Sequence, residues 1–132
     1  MTFWQAIQSG FNNYAKFSGR ARPSEFWYWM LFTFIATLVT ATLDNVLFAS
    51  MTALSPFCDT FTVLTIVPGI AVSIRRLHDT DRSGWWFLLS FVPFVGIFVL
   101  IVWWVKQGTA GDNRFGADPF RAGGFVSPRP TI

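Results

Sequence analysis

The chain is 132 residues long, the length of one domain, but 52% of its residues are hydrophobic and only 13% are charged, against about 25% charged in soluble domains. A soluble domain of this size could not bury sixteen Phe and seven Trp, because small domains bury only part of their surface. The formal net charge of +3 comes from cations that flank apolar runs. This pattern argues against a nucleic-acid partner and predicts an all-helical protein whose solvent is the lipid bilayer.

Residues 1–18 predict an amphipathic helix at the N-terminus. Apolar residues recur there at helical spacing, while polar side chains fill the other face: Phe3, Trp4, Ile7, Phe11 and Tyr14 are the apolar set. The segment is too polar to cross a bilayer, so the sequence predicts a helix that lies in the membrane interface. A short helix packed on the rest of the protein is the open alternative.

Residues 19–105 predict a transmembrane helical domain, and its first span covers about 25–43. Ser24 is the expected N-cap, and Glu25 suits the first turn of a helix. The span is 19 residues long, which corresponds to roughly 28 Å of helix and nearly matches a hydrocarbon core of about 30 Å.

The second span is predicted over about 56–74, after a short apolar connector, 46–54, that dips into the interface. Ser55 is the expected N-cap and Pro56 the first helical residue. Pro68 should kink this helix near its middle.

Residues 85–105 form a third uncharged segment, bounded by two Trp pairs. The pairs lie 18 residues apart, or roughly 27 Å along one helix, and Trp prefers the headgroup level. A third crossing is therefore predicted, which gives about three transmembrane segments. Residues 106–132 predict an extended, polar, flexible tail.

The cations do not fit three crossings. The N-terminal region and the second loop carry cations but the first loop carries none, so the N-terminus is predicted to be cytoplasmic. Three crossings would place the cationic tail outside. A hairpin broken near Ser90, Pro93 and Gly96 would keep every cation inside, but its limbs of about ten residues are too short to span. Length favours the crossing, and the hairpin stays open.

The loop before the third segment contains the only histidine, His78, beside Asp79 and Asp81. A metal site usually needs three or four protein ligands, and carboxylates near a helix start also cap it or pair with arginines. No metal, cofactor or catalytic residue is therefore predicted.

Two arginine motifs should share one membrane face, because two spans separate them. The candidate cluster, for an anionic headgroup or for ion pairs, comprises Arg20, Arg22, Glu25, Arg75, Arg76, His78, Asp79, Asp81 and Arg82. A phosphate pocket and plain orientation signals with ion pairs both remain open. In either case, Glu25 or Asp79 should contact an arginine of the other motif.

Three ordered motifs carry a family resemblance: GRARPSEFWYW before the first span, RRLHDTDRSGWW before the third, and GDNRFGADP after it. Over roughly Phe3 to Pro119 the chain resembles the bacterial inner-membrane family catalogued as domain of unknown function 805. The resemblance implies a small bacterial inner-membrane protein of helical hairpins, and it implies no reaction. The chain departs from the family in its longer connector and in the pair Asp81-Arg82, where glycine followed by lysine or arginine is common.

The sequence thus predicts a multi-pass plasma-membrane protein that is not an enzyme and acts through a membrane-protein partner, a second copy or anionic phospholipid. The alternatives are a pore or transport component formed by oligomerisation, and a membrane enzyme that acts on lipid headgroups through His78, Asp79 and the arginines.

Overall fold

A computed structural model describes residues 2–48, 55–122 and 125–126 of the chain. These residues form four α-helices, one 3-10 helix and a two-stranded antiparallel hairpin. The bounds are α1 Phe3–Asn12, α2 Pro23–Leu47, α3 Pro56–Asp79, the 3-10 helix Gly84–Phe91, α4 Val95–Val105, β1 Arg121–Ala122 and β2 Phe125–Val126. The predicted all-helical class is confirmed.

Within the described residues, α2 and α3 are the two helices long and apolar enough to cross a membrane. Their 25 and 24 residues correspond to roughly 36–38 Å, so each contains its predicted span. The outward face of α2 is apolar; Phe34, for example, is 62% exposed. Such a face suits lipid tails rather than water. The predicted connector lies mostly outside the described residues, and its first two residues continue α2.

The amphipathic helix α1 packs across the start of α2. Thr2 and Gln5 form a capping box that begins α1. Gly10 faces the indole of Trp29, so closely that a Cβ on Gly10 would lie 2.3 Å from the ring. Phe11 also meets Trp29, edge to face at 5.3 Å. The structure therefore has the packed arrangement that the sequence left open, and the interfacial placement of α1 stays a prediction.

The segment after α1 also provides a hydrogen bond to a backbone carbonyl that Pro68 leaves without its partner in α3. Pro68 has no N–H, so the carbonyl of Leu64, four residues earlier, loses its helical donor. The hydroxyl of Tyr14 donates to that carbonyl at 2.6 Å. An unsatisfied carbonyl is costly where no water can reach it, so this hydrogen bond lets α3 continue through Pro68.

Of the two predicted N-cap residues, Ser24 is wrong and Ser55 is right. Helix α2 begins at Pro23, and its N-cap Arg22 makes no side-chain capping bond. Helix α3 has Ser55 as its N-cap residue and Pro56 as its first residue, but the side chain of Ser55 makes no capping hydrogen bond. Instead, Asp44, 5% exposed near the end of α2, accepts the N–H groups of Phe57 at 3.0 Å and Cys58 at 2.9 Å. The end of one span thus caps the start of the next.

The prediction of one continuous helix over 85–105 is wrong, because the segment folds into a hairpin. The rings of Trp86 and Trp103 lie 5.5 Å apart, instead of at opposite ends of a helix. The chain reverses between the two limbs, where Phe94 has a φ of +61°. A Cβ on Gly96 would lie 1.7 Å from the carbonyl oxygen of Leu89, so only glycine allows the limbs to approach this closely.

The hairpin returns the chain to the end of α3 from which it left. Its limbs have 8 and 11 residues, or roughly 16 Å each, about half of a hydrocarbon core. The expectation of an extended tail is also wrong for residues 107–120. There, the N–H of Thr109 donates to the carbonyl of Asp79 at 2.7 Å, and the amide of Asn113 donates to the carbonyl of His78 at 2.9 Å.

Replacing Asp44 should destabilise the helix pair formed by α2 and α3. Asp44→Ala leaves two N–H groups of α3 without their acceptor, which should cost about 0.5–2 kcal/mol. Thermal unfolding of the detergent-purified protein measures the loss. The control is Asn45→Ala, which removes an exposed side chain of similar size from the next position of α2. Equal losses in the two variants would contradict the capping role of Asp44.

Candidate functional site

The two arginine motifs meet where α2 begins and α3 ends. The N–H of Ala21 donates to the carbonyl of Arg75 at 3.0 Å, which brings the two backbones together. Arg20 contacts Asp79 at 2.9 Å, and Arg75 contacts Glu25 at 2.8 Å. The structure thus forms both cross-motif ion pairs that the sequence predicts.

Asp79 is the centre of the cluster. Its carboxylate binds Arg20 through one oxygen, at 2.9 Å, and Arg76 through the other, at 2.5 Å. All three side chains are 0% exposed. Arg76 reaches Asp79 because residues three apart share a helix face. Buried charges are tolerated when they are paired and their other donors are satisfied.

The remaining donors of these two arginines bind the last turn of α4 and the backbone that follows it. Arg20 donates to the carbonyls of Thr109 and Gly111 at 2.6 Å each. Arg76 donates through Nε and a terminal nitrogen to the carbonyl of Trp104, at 3.2 and 3.1 Å, and also to that of Lys106. The two guanidiniums therefore hold α2, α3 and the chain after α4 together.

Gly108 allows this backbone to pass over the carboxylate. A Cβ at this position would lie 2.0 Å from one carboxylate oxygen of Asp79 and 2.6 Å from the other. No side chain fits there unless Asp79 moves, so a glycine is required.

A second ion pair joins α1 to the two spans. Glu25 accepts from Arg75 and also from the hydroxyl of Ser9 at 2.9 Å. Both charged side chains are about 95% buried. Two nitrogens of Arg75, Nε and one terminal nitrogen, are buried without a hydrogen-bond partner among the described residues. This guanidinium is thus only partly satisfied.

Arg22 and Arg82 sit on aromatic rings instead of carboxylates. The guanidinium of Arg22 lies 4.2 Å from the ring centroid of Phe120, and that of Arg82 lies 4.5 Å from that of Trp103. Arg82 also donates to the carbonyl of Thr80 at 3.3 Å. In the part of the chain that the structure describes, no carboxylate lies within ion-pair distance of either one.

Among the described residues, Asp81 does not pair with an arginine of the cluster. Asp81 instead pairs at 3.3 Å with Arg114 of the C-terminal segment, and both side chains are largely exposed. Its partner is thus Arg114 and not Arg82, its neighbour in sequence. Five arginines therefore face two carboxylates, and of the three excess positive charges one belongs to the triad of Arg20, Arg76 and Asp79 while the other two lie on Arg22 and Arg82.

His78 is held by the same C-terminal segment. Its Nδ1 lies 3.0 Å from the carbonyl oxygen of Gly19, and its ring stacks on Phe115 with centroids 4.2 Å apart and planes 2° from parallel. Among residues 2–48, 55–122 and 125–126, no three His, Cys, Asp or Glu side chains gather where they could hold a metal.

Sequence reasoning missed the C-terminal part of the site. Backbone carbonyls between Trp104 and Gly111 bind the two central arginines, and the rings of Phe115 and Phe120 cover His78 and Arg22. Carbonyl acceptors leave no trace in a sequence. The motif GDNRFGADP, however, was a signal that residues 111–119 are more than a flexible tail.

Comparison with known proteins places the chain among inner-membrane proteins. Residues 14–117 match the family described as protein of unknown function (DUF805). The chain is 46% identical over 107 residues to inner membrane protein YhaI of Escherichia coli strain K12, covering 81% of this chain and 88% of that protein. It is 44% identical over 108 residues to inner membrane protein YhaH of the same strain, covering 81% and 89%. No solved structure gives a significant match.

Removing the central charge should break the cluster. Asp79→Asn leaves Arg20 and Arg76 buried without a counter-charge, which should cost about 3–5 kcal/mol of unfolding free energy. The matched control, Asp81→Asn, breaks an exposed pair and should cost about 1 kcal/mol or less. Thermal unfolding in detergent compares the two variants. A control as unstable as Asp79→Asn would show that the burial of the pair is unimportant.

Proposed function

The chain belongs to the DUF805 family, and we propose that this inner-membrane protein acts without catalysis, by binding the phosphate of an anionic phospholipid through Arg22 and Arg82. One observation carries the proposal. Of the five arginines in the predicted cluster, three pair with a carboxylate, and these two do not pair with any described one.

The setting of these two guanidiniums suits a phosphate. An aromatic ring supports one face of each planar group, which leaves the N–H edge to form paired hydrogen bonds with phosphate oxygens. The Nε of Arg22 is buried without a hydrogen-bond partner among the described residues. Arg20 and Arg76 are fully buried and already bonded to carbonyls, so a lipid would bind at the rim of the cluster.

We further infer that the protein keeps both ends of the described chain in the cytoplasm. Two spans and a hairpin that turns back bring the flanking cations to one end of the helices: Lys16, Arg20, Arg22, Arg75, Arg76, Arg82, Lys106 and Arg114. No Lys or Arg lies between Asp44 and Ser55, at the other end. The positive-inside rule assigns the cationic end to the cytoplasm, and anionic lipids of that leaflet attract it.

Cysteine labelling tests this orientation. In a Cys58→Ser background, Asn45→Cys should react with a membrane-impermeant thiol reagent in intact cells, because Asn45 is exposed at the cation-free end. Thr80→Cys and Ala117→Cys should react only after the cells are opened. Labelling of Ala117→Cys in intact cells would show that residue 117 lies outside the cytoplasm, which would require a third crossing of the membrane.

Native mass spectrometry tests lipid binding. The double variant Arg22→Gln, Arg82→Gln should retain an anionic phospholipid more than about tenfold less well than the unmodified protein, since a hydrogen bond to a charged group is worth about 1.5–3 kcal/mol. Retention of a zwitterionic lipid should not change.

The matched control is Lys16→Gln, Lys106→Gln, which removes the same charge from two exposed positions. It should retain the anionic lipid normally. Equal losses in both double variants would reduce the effect to net charge, and no loss in either would refute the site.

A further inference from the structure

We propose that the cavity beside His78 is a second binding site, which takes a membrane-soluble quinol, that is, a planar aromatic ring with a hydroxyl donor and an apolar tail. The cavity lies between Phe17, the last turns of α3 and the start of the 3-10 helix, and has a volume of about 360 Å³. Small-molecule sites start at roughly 300 Å³ and are mostly apolar with a few placed polar groups.

The hydrogen bond of Nδ1 determines whether Nε2, the other ring nitrogen of His78, donates or accepts a hydrogen bond. The carbonyl of Gly19 can only accept, so the Nδ1 that lies 3.0 Å from it must carry the proton. In the neutral ring, Nε2 is then a hydrogen-bond acceptor. The stacking of Phe115 at 4.2 Å fixes the ring plane, so Nε2 points in one direction.

Gly84 has no side chain that would block the approach of a ligand to Nε2 of His78. A Cβ on Gly84 would lie 3.4 Å from Nε2 and 2.7 Å from a methyl carbon of Ile74. Both Gly84 and His78 line the cavity, so the absent side chain gives a ligand access to Nε2. Ser83, the neighbouring residue on the wall, adds a hydroxyl that can donate to a ligand oxygen.

The side chains that line the cavity favour a ligand with a planar ring and an apolar tail. The aromatic side chains of Phe17, Trp85 and Phe87 line the cavity and favour a planar ring through offset or edge-to-face contacts. Trp85 and Leu88 are 79% and 53% exposed on the apolar surface, so an apolar tail can leave the cavity toward lipid. A phosphodiester anion has no proton to donate to Nε2, and this distinguishes the cavity from the arginine site.

The test compares two ligands on the full chain in nanodiscs near neutral pH, where an ordinary imidazole is mostly neutral. Reduced decyl-ubiquinol and its dimethyl ether are titrated while tryptophan fluorescence is followed. The ether keeps the ring and the tail but has no hydroxyl donor. The quinol should bind about two- to tenfold more tightly, since one net hydrogen bond is worth about 0.5–1.5 kcal/mol.

Two variants locate the binding. His78→Phe should remove the preference for the quinol, and Gly84→Ala should weaken both ligands by filling the cavity. The control Gly69→Ala adds a methyl group that makes only ordinary contact, 3.7 Å from Trp29, and should leave both affinities unchanged.

Equal affinities for the quinol and the ether, binding of neither, or full preference in His78→Phe would each overturn the proposal. If His78→Phe fails to fold because it loses the Gly19 hydrogen bond, the ligand pair and Gly84→Ala still decide. Neither arm involves Arg22 or Arg82, so failure here leaves the phospholipid proposal standing.

Discussion

The carboxylate of Asp79 is the point on which the fold depends. A buried charge at the end of α3 is tolerable only if it is paired and hydrogen-bonded, and Arg20 and Arg76 supply both of its partners. Each arginine then needs acceptors for its other donors, and the backbone of residues 104–111 provides them. One carboxylate thus requires the start of α2, the end of α3 and the chain after α4 to meet.

That requirement explains why the third apolar segment turns back. Arg76 binds the carbonyl of Trp104, so Trp104 must lie at the end of α3. A continuous helix over 85–105 would carry it roughly 27 Å away and leave the remaining donors of the buried Arg76 guanidinium without the carbonyls that accept from them. The length of the segment favoured a crossing, because it matches one spanning helix, but a hairpin of two short limbs has the same length and hydropathy. The distribution of cations did favour the hairpin, and the structure agrees with it.

The parts that the sequence predicted are those with local causes. Hydropathy and length are enough to predict α2 and α3, and the helical spacing of apolar residues is enough to predict α1. The two arginine motifs are predicted to meet because two helices separate them in the chain. The parts it missed depend on partners distant in the chain. Asp44 caps α3 and the Tyr14 hydroxyl satisfies a carbonyl beside Pro68, and neither bond has a sequence pattern of its own.

The five arginines of the cluster have two different roles, which depend on the side chains that each one contacts. Arg20, Arg75 and Arg76 face carboxylates inside the protein and bind its segments together. Arg22 and Arg82 face aromatic rings at the rim, and the nearby Asp81 pairs with Arg114 instead. A phosphate could reach the rim without opening the buried pairs, since these keep their own acceptors. The same fold can therefore be held rigid by some of its arginines and present others to a ligand.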